Sequence, residues 1–347
     1  MTLFIVETTS TEGMENKVPS GRVFVFTDPF PYQAALHAAD LAFFPTTKGT
    51  FRAELTQIRM NQLWMQCHHQ TLPQVNTGAV YVGRKIIGFL TGPKGQTMRH
   101  RGMDVSTADI IVKNSDVFHQ RTDADCHYGS MSLTLDDFDA ACRAIVGPDL
   151  SGAALEHLVR PSPDLMSRLI TLHEKVGRIA NTTPAILELP EVSRALEQQL
   201  IHLMVRCLTE SASSNMTAGG HRHDMIVARF EEYMEANPNT PLYLPEICAA
   251  LGTAERTLRI ACEKRLGMGP IRYLALRRMH LVRRALLRAD STTTVTRVAT
   301  DHGFWELGRF SVTYRKLFGE SPSETLRQPA DDRLPASIVR LSLPNYR

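Results

Sequence analysis

The sequence predicts an α+β multidomain protein: an N-terminal β-barrel domain, a helical connector, and a C-terminal all-α domain with two helix-turn-helix units joined by a long helix. Three observations carry this expectation. Short apolar runs broken by Gly, Pro, Asn and Asp fill residues 22–147, the texture of strands joined by turns. Helical periodicity takes over from residue 163. Residues 244–328 then contain a loose internal repeat. At 347 residues the chain also exceeds the roughly 250–300 at which a single core usually divides.

Within the first region, GAVYVGRKIIGFLTG (78–92), ADIIVKNSD (108–116) and HYGSMSLTL (127–135) read as strands, whereas alanine-rich FPYQAALHAADL (30–41) reads as a helix. In 163–181, Leu165, Leu169, Leu172, Val176 and Ile179 recur at helical spacing. Val192, Leu196, Leu200, Leu203 and Cys207 do the same in 190–208, behind Pro190 at a first helical position. This helix pair docks either on the barrel or on a second subunit, as a homodimer interface. SASSNMTAGGH (211–221) has linker composition, and the end of the chain reads as a disordered tail. The expected divisions are 1–150, 151–224, 225–328 and 329–347.

The repeat carries the strongest signal. LPEICAALGTAERTLRIACEKRLGMGP (244–270) aligns with VTRVATDHGFWELGRFSVTYRKLFGESP (295–322), with one extra residue after the second turn glycine. In each copy a short helix is followed by a glycine, Gly252 or Gly303, placed where a left-handed backbone turns the chain sharply. The second helix of each copy then buries one stripe. That stripe is Leu258, Ala261 and Cys262 in the first copy, and Phe310, Tyr314, Leu317 and Phe318 in the second. Gly267 and Gly319 stop these helices, while Pro270 and Pro322 start the next. Helix-turn-helix units are therefore expected at 244–265 and 295–318. Between them IRYLALRRMHLVRRALLR (271–288) predicts a long helix, with Ile271, Leu274, Leu281 and Ala285 on its buried face and Arg277, Arg283, Arg284 and Arg288 largely outside it. Trp305 is expected to pack near the second turn.

Charge points to the same third of the chain. Residues 226–330 hold 14 Arg and 2 Lys against 9 Glu and 2 Asp, a net of +5, within a whole chain of +3. A basic, arginine-rich segment suits a polyanionic partner, since the planar guanidinium matches phosphate and guanine edges.

Other classes find little support. No run of about 18 apolar residues suggests a transmembrane helix, and no membrane partner is expected. The N-terminus lacks a basic start and a small-residue cleavage site. Cysteines 67, 126, 142, 207, 248 and 262 are scattered without a CxxC pair, so reduced thiols and a cytoplasmic location are expected. GPKGQT (92–97) lacks the phosphate-loop spacing, and GxSxG and HExxH are absent. Cys67, His68, His69, His100, His119, Cys126 and His127 form no spaced ligand set, and neighbours on a strand point to opposite faces. No metal, cofactor or catalytic residue is expected.

The stretches RTLRIACEKRLGMGPIRYL, RRMHLVRRALL and VATDHGFWELGRFSVTYRKLFGESPSETLR resemble the AraC/XylS family of bacterial transcription regulators. The resemblance covers 226–328, about 30% of the chain, and the N-terminal part looks like the cupin-related domain that many members carry. It implies a sequence-specific regulator, more often an activator, that binds double-stranded DNA and contacts RNA polymerase. The N-terminal domain is a ligand receptor in some members and a dimerisation unit in many. The enclosed barrel with its flexible linker points to control by a small-molecule effector there. Position by position, the resemblance places base reading on Arg256, Arg259 and Ile260 in the first unit, and on Leu307, Gly308, Arg309 and Val312 in the second. Many members have Arg where this chain has Ile260, and polar residues where it has Leu307, Gly308 and Val312. The residues themselves therefore assign hydrogen-bonded readout mainly to the first helix and phosphate docking with apolar contact to the second. Thr257, Thr313, Arg315, Lys316, Ser321 and Arg327 are expected at phosphates. Two alternatives stay open: a cupin-type metal-dependent enzyme with an attached helical domain, and a regulator that acts only through protein partners.

Overall fold

The computed structural model describes residues 20–36, 39–81, 83–93, 95–113, 118–147, 158–210, 212–213, 218–237, 242–290 and 292–328. The expected tail (329–347) and residues 211 and 214–217 of the expected linker lie outside these residues. The strands and first helices are β1 (Ser20–Phe26), α1 (Pro29–Ala35), β2 (Ala39–Pro45), β3 (Ala53–Arg59), β4 (Trp64–Gln70), β5 (Gln74–Val80), β6 (Arg84–Leu90), β7 (Met98–His100), β8 (Met103–Val105), β9 (Ile110–Lys113), β10 (Phe118–Thr122), β11 (Cys126–Thr134) and α2 (Leu135–Ile145). They continue with β12 (Leu158–Arg160), α3 (Pro163–Thr182), α4 (Pro190–Thr209), β13 (Ala212–Ser213) and α5 (Ala218–Ala236). The C-terminal helices are α6 (Leu244–Ala250), α7 (Glu255–Leu266), α8 (Pro270–Leu287), α9 (Val295–Asp301), α10 (Leu307–Phe318) and α11 (Pro322–Leu326).

The strands form two antiparallel sheets, in the orders β1-β3-β4-β11-β6-β9-β12-β13 and β2-β5-β10-β7-β8. The helix expected over 30–41 is shorter. Asp28 caps α1 by accepting from the Phe30 amide, and Ala39–Pro45 pairs instead with Gln74–Val80. Ladder hydrogen bonds to β5 outweigh the modest helix preference of a few alanines.

Strand alternation sorts the side chains of β4 and β11. Gln66, His68, Gln70, Tyr128 and Ser130 face the space between the sheets. Met65, Met131 and Leu133 join Leu169, Val176, Leu200 and Met204 in a core under α3 and α4. That core covers the inward stripes of both helices within the chain, so this face of the pair is intramolecular. Ser162 caps α3, and Pro163 and Pro190 occupy the first turns of α3 and α4. Helix α5 begins at Ala218, inside the segment expected as linker, and contains the expected border at 224/225.

Two separate cores organise the C-terminal region. Val227, Phe230, Ile247, Leu258, Ala261, Cys262, Leu266 and Tyr273 enclose the first, which also includes Phe44 and Val75 from the five-stranded sheet. The second gathers Met279, Val282, Leu286, Val298, Ala299, Phe310 and Tyr314. The stripe expected on the long helix holds at Leu274, which is buried, and at Ala285, which packs on the second core, but not elsewhere. Ile271 is exposed, while Tyr273, Met279, Val282 and Leu286 are buried, because α8 serves two cores on different sides rather than one.

Candidate nucleic-acid interface

Each helix-turn-helix is built as the repeat requires. Gly252 and Gly303 adopt φ of 59° and 80°, the left-handed region where a Cβ is costly. The connection from α6 to α7 has four residues and that from α9 to α10 has five, which is where the extra residue of the second copy falls. Gly267 and Gly319 end α7 and α10 in the left-handed conformation. Pro270 and Pro322 follow in the first turns of α8 and α11. Ser321 caps α11 in a reciprocal box with Glu324. At 1.5 Å per residue, the 18-residue α8 is a rod of roughly 27 Å between the units.

On α7, Arg256 and Arg259 are exposed, Ile260 and Thr257 are half-buried, and the Leu258–Ala261–Cys262 stripe is fully buried. Arg259 Nη2 lies 2.8 Å from Glu255 Oε1, an exposed pair that DNA can replace at little cost. On α10, Gly308, Arg309, Val312, Thr313, Arg315 and Lys316 are exposed, as is Arg327 beyond it. Arg309 lies 3.6 Å from Glu306, and Arg315 3.6 Å from Glu324. Leu307 is half-buried against the second core, so part of its surface is spent on packing. No atom lies within 4 Å of where a Cβ at Gly308 would stand. Trp305 does not pack as expected: it is 76% exposed, and Phe304 and Phe310 pack against each other at the turn in its place, with ring planes tilted by 40°.

Arginines of α8 expected outside its buried stripe turn toward the N-terminal domain. Arg283 pairs with Asp28 and lies 3.4 Å from Glu320. Arg284 and Arg288 stand over the Phe30 ring at 4.8 and 5.4 Å. His280 Nε2 lies 3.1 Å from the Pro45 carbonyl, and burial lowers its pKa to about 4. Arg265 at the end of α7 is buried, pairs with Asp224 of α5 at 2.8 Å and donates to the Arg101 carbonyl in the turn between β7 and β8. Glu231 of α5 accepts from Thr77 and Tyr273 and lies 3.4 Å from His119 of β10. Burial alone would raise the Glu231 carboxyl, but His119, Arg277 and the Thr77 hydrogen bond hold it at about 2. Sequence reasoning missed these polar contacts, a seam whose partners lie up to 255 positions apart.

Between the sheets lies a cavity of about 60 Å³, lined by Tyr32, Phe43, His68, Lys113, Phe118 and Tyr128 among others. The Lys113 ammonium stands 4.1 Å from the Phe118 ring centre, and burial lowers its pKa to about 7. Among the described residues no carboxylate pairs with it. Asn76 and Gln120 on the five-stranded sheet and Tyr128 on the eight-stranded sheet each leave a buried polar atom unpartnered in the cavity lining. A lysine inside the apolar run ADIIVKNSD was the one sequence signal for this site.

Comparison with known proteins places the C-terminal region. A family model described as a helix-turn-helix domain matches residues 247–328. The "Probable thc operon regulatory protein" of Rhodococcus erythropolis is 39% identical over 103 residues, which are 29% of this chain and 31% of that one. This match therefore spans about a third of the relative's length. The XylDLEGF operon transcriptional activator 2 of Pseudomonas putida is 33% identical over 121 residues, 34% of this chain and 77% of that one. Among solved structures, the AraC-like transcriptional activator CuxR covers 75% of this chain and 94% of its own at 15% identity, with a TM-score of 0.37. No helix among the described residues is long and apolar enough to cross a membrane. With two helix-turn-helix units in the matched segment, and a third of its residues shared with an activator of which it covers 77%, the chain belongs to the AraC/XylS family of transcriptional regulators.

Proposed function

We propose that this protein regulates transcription, more often as an activator, by binding double-stranded promoter DNA with α7 and α10 in two successive major grooves. The observation that carries this reading is the pair of exposed, arginine-bearing helix faces on one rigid rod. A single polypeptide then does what a helix-turn-helix dimer does with half-sites about one turn apart. Arg256 and Arg259 supply hydrogen-bonded base readout, and Ile260 offers apolar contact to a thymine methyl. Arg309, Arg315, Lys316 and Arg327 dock on phosphates, assisted by Thr257, Thr313 and Ser321. Leu307, Gly308 and Val312 sense bases by apolar contact and close backbone approach. RNA polymerase contact and homodimerisation are the partners that family membership adds. Footprinting on the DNA upstream of the protein's own gene tests the reading. It expects two protected blocks about 10 base pairs apart and a steep loss of binding with salt. Binding without sequence preference or steep salt dependence would overturn it and favour action through protein partners.

A second observation supports control by a small effector between the sheets. A buried ammonium without a carboxylate partner is costly, and an anionic ligand would relieve that cost. The effector in this reading is a small carboxylic acid whose carboxylate pairs with Lys113 and whose body lies against Phe118 and Tyr128. Strand β10 links this site to the helices. Phe118 and Gln120 line the cavity, and His119 between them meets Glu231. Calorimetry of the full chain against small carboxylates should find a binder that Lys113→Met loses. Because pairing favours charged Lys113, binding above pH 7 should take up protons. Binding that survives Lys113→Met unchanged would remove the carboxylate from the reading.

A further inference from the structure

The outer face of the eight-stranded sheet brings His69 together with Asp125 and His127, two metal-ligating side chains that are close to each other in sequence but more than 50 positions from His69. On β4, His68 faces the cavity, so the next residue, His69, faces outward. Its cross-strand partner on β11 is His127, and the two imidazoles stack with centroids 4.1 Å apart and planes 10° from parallel. Asp125 holds a φ of 55° in the turn before β11. Its Oδ1 lies 2.6 Å from His69 Nε2. One ligand atom from each of the three residues lies within 4.8 Å of the other two. On the other side of His69, β3 places Glu54 directly opposite it in register, with its carboxylate held 2.9 Å from Arg52.

We propose that His69, His127 and Asp125 bind one divalent transition-metal ion of the zinc or nickel class. Two imidazole nitrogens and one carboxylate suit such ions, whereas magnesium and calcium prefer all-oxygen shells. Ligand atoms about 2.0–2.2 Å from a shared ion stand roughly 3–4 Å apart, close to the spacing already present. To aim both in-plane lone pairs at one ion, the stacked imidazoles must tilt out of parallel. The ion takes the place of the hydrogen bond between His69 Nε2 and Asp125 Oδ1. Three protein ligands leave a coordination position open to water. Asp125 and His69 are partly exposed, so an ion reaches the site without opening the core. The site lies on the opposite face of the sheet from the effector cavity and does not depend on that cavity's occupant. Its effect would be to clamp β4, β11 and the turn that joins β10 to β11.

The test is calorimetric titration of the full-length, chelator-treated protein with Zn²⁺ and with Ni²⁺. The proposal expects one equivalent per chain, weakened at least about tenfold in His127→Ala and in Asp125→Asn. Binding should be unchanged in His202→Ala, which removes an exposed histidine of α4 outside the cluster. Asn tolerates the left-handed turn at position 125, so the second variant keeps the test decisive should the first fail to fold. With Co²⁺ as the probe, the visible spectrum should show nitrogen and oxygen ligation without a thiolate charge-transfer band. Stoichiometric binding that is indifferent to both variants, a thiolate band, or no binding would each overturn the proposal.

Discussion

The two helix-turn-helix units have one backbone plan and different surroundings. The first shares its core with the N-terminal sheet through Phe44 and Val75, and Arg265, Asp224 and Glu231 stitch it to β7, β8 and β10. The core of the second contains no residue of either sheet. The reading faces differ as well. The first presents Arg256 and Arg259, whereas the second presents Gly308, Arg309 and Val312. The half that carries the hydrogen-bonding readers is thus the half whose core runs into the cavity domain, whereas the second meets that domain through α8 side chains such as Arg283, which pairs with Asp28. A ligand that shifts β10 would act on base recognition first, leaving the second unit as a steadier phosphate clamp.

The largest expected effect separates the two cores. Phe310 is 2% exposed, and Phe310→Ala should cost about 3–5 kcal/mol. Hydrogen exchange should show protection lost from α9 to α11 while α5 to α7 and the sheets keep theirs. Leu258→Ala, costing about 2–5 kcal/mol, should loosen β2 and β5 together with the first unit. If Phe310→Ala melts everything at once, the second unit is not the independent body that its core implies.

The seam comes next. Asp224→Asn leaves the buried Arg265 with one anionic partner fewer and should cost about 3 kcal/mol, chiefly by releasing the first unit from the sheet. Acid should act in the same direction. The His280 pKa falls from 6.5 to about 4 in the fold, so its contribution is full above pH 6.5 and is lost as pH drops toward 4. Glu231, lowered from 4.5 to about 2, loses its contribution below that, between pH 4.5 and 2. Chemical denaturation across pH should therefore show stability rising with pH from 2 to 6.5, with the upper part of the slope reduced in His280→Gln.

Much of this division was legible locally and some of it could not be. The repeat glycines, the Leu258 and Phe310 stripes, α3, α4 and the strands at 78–92 and 127–135 all express short-range periodicity or turn chemistry. Those signals survive in a single sequence. The seam does not, because Arg265 meets the carbonyl of Arg101 across 164 positions and nothing in either neighbourhood announces the other. His69 and His127 escaped for a related reason: strand register, not spacing, makes them neighbours. Ile271 and Trp305 were misplaced by assigning each helix or turn a single core to face. Helix α8 has two, and the turn before α10 is filled by Phe304 and Phe310.

Base recognition gives a smaller but sharper contrast. Arg259→Ala should relax preference at particular operator positions, by roughly 1–3 kcal/mol for a bidentate guanine contact. Arg309→Ala should weaken binding almost uniformly across operator variants and make the salt slope shallower by about one phosphate. Competition binding against a panel of single-base operator variants reads both. The opposite assignment would move hydrogen-bonded specificity to the second unit and undo the coupling drawn above.

The smallest effect isolates the second helix from its own fold. Gly308 lies in the first turn of α10, is exposed, and has open space where a Cβ would stand. Its φ lies outside the left-handed region, so the fold does not require glycine there. Alanine at this position should leave the melting temperature unchanged or slightly raised, since glycine costs a helix up to about 1 kcal/mol. If glycine serves close approach to the groove, the same methyl should weaken operator binding several-fold while the protein itself is no less stable. A loss of affinity without loss of stability is difficult to produce by misfolding, which makes this mild substitution a clean probe of how α10 meets DNA. Unchanged affinity would mean that the groove stays clear of Gly308 and that α10 docks through its arginines and Lys316 alone.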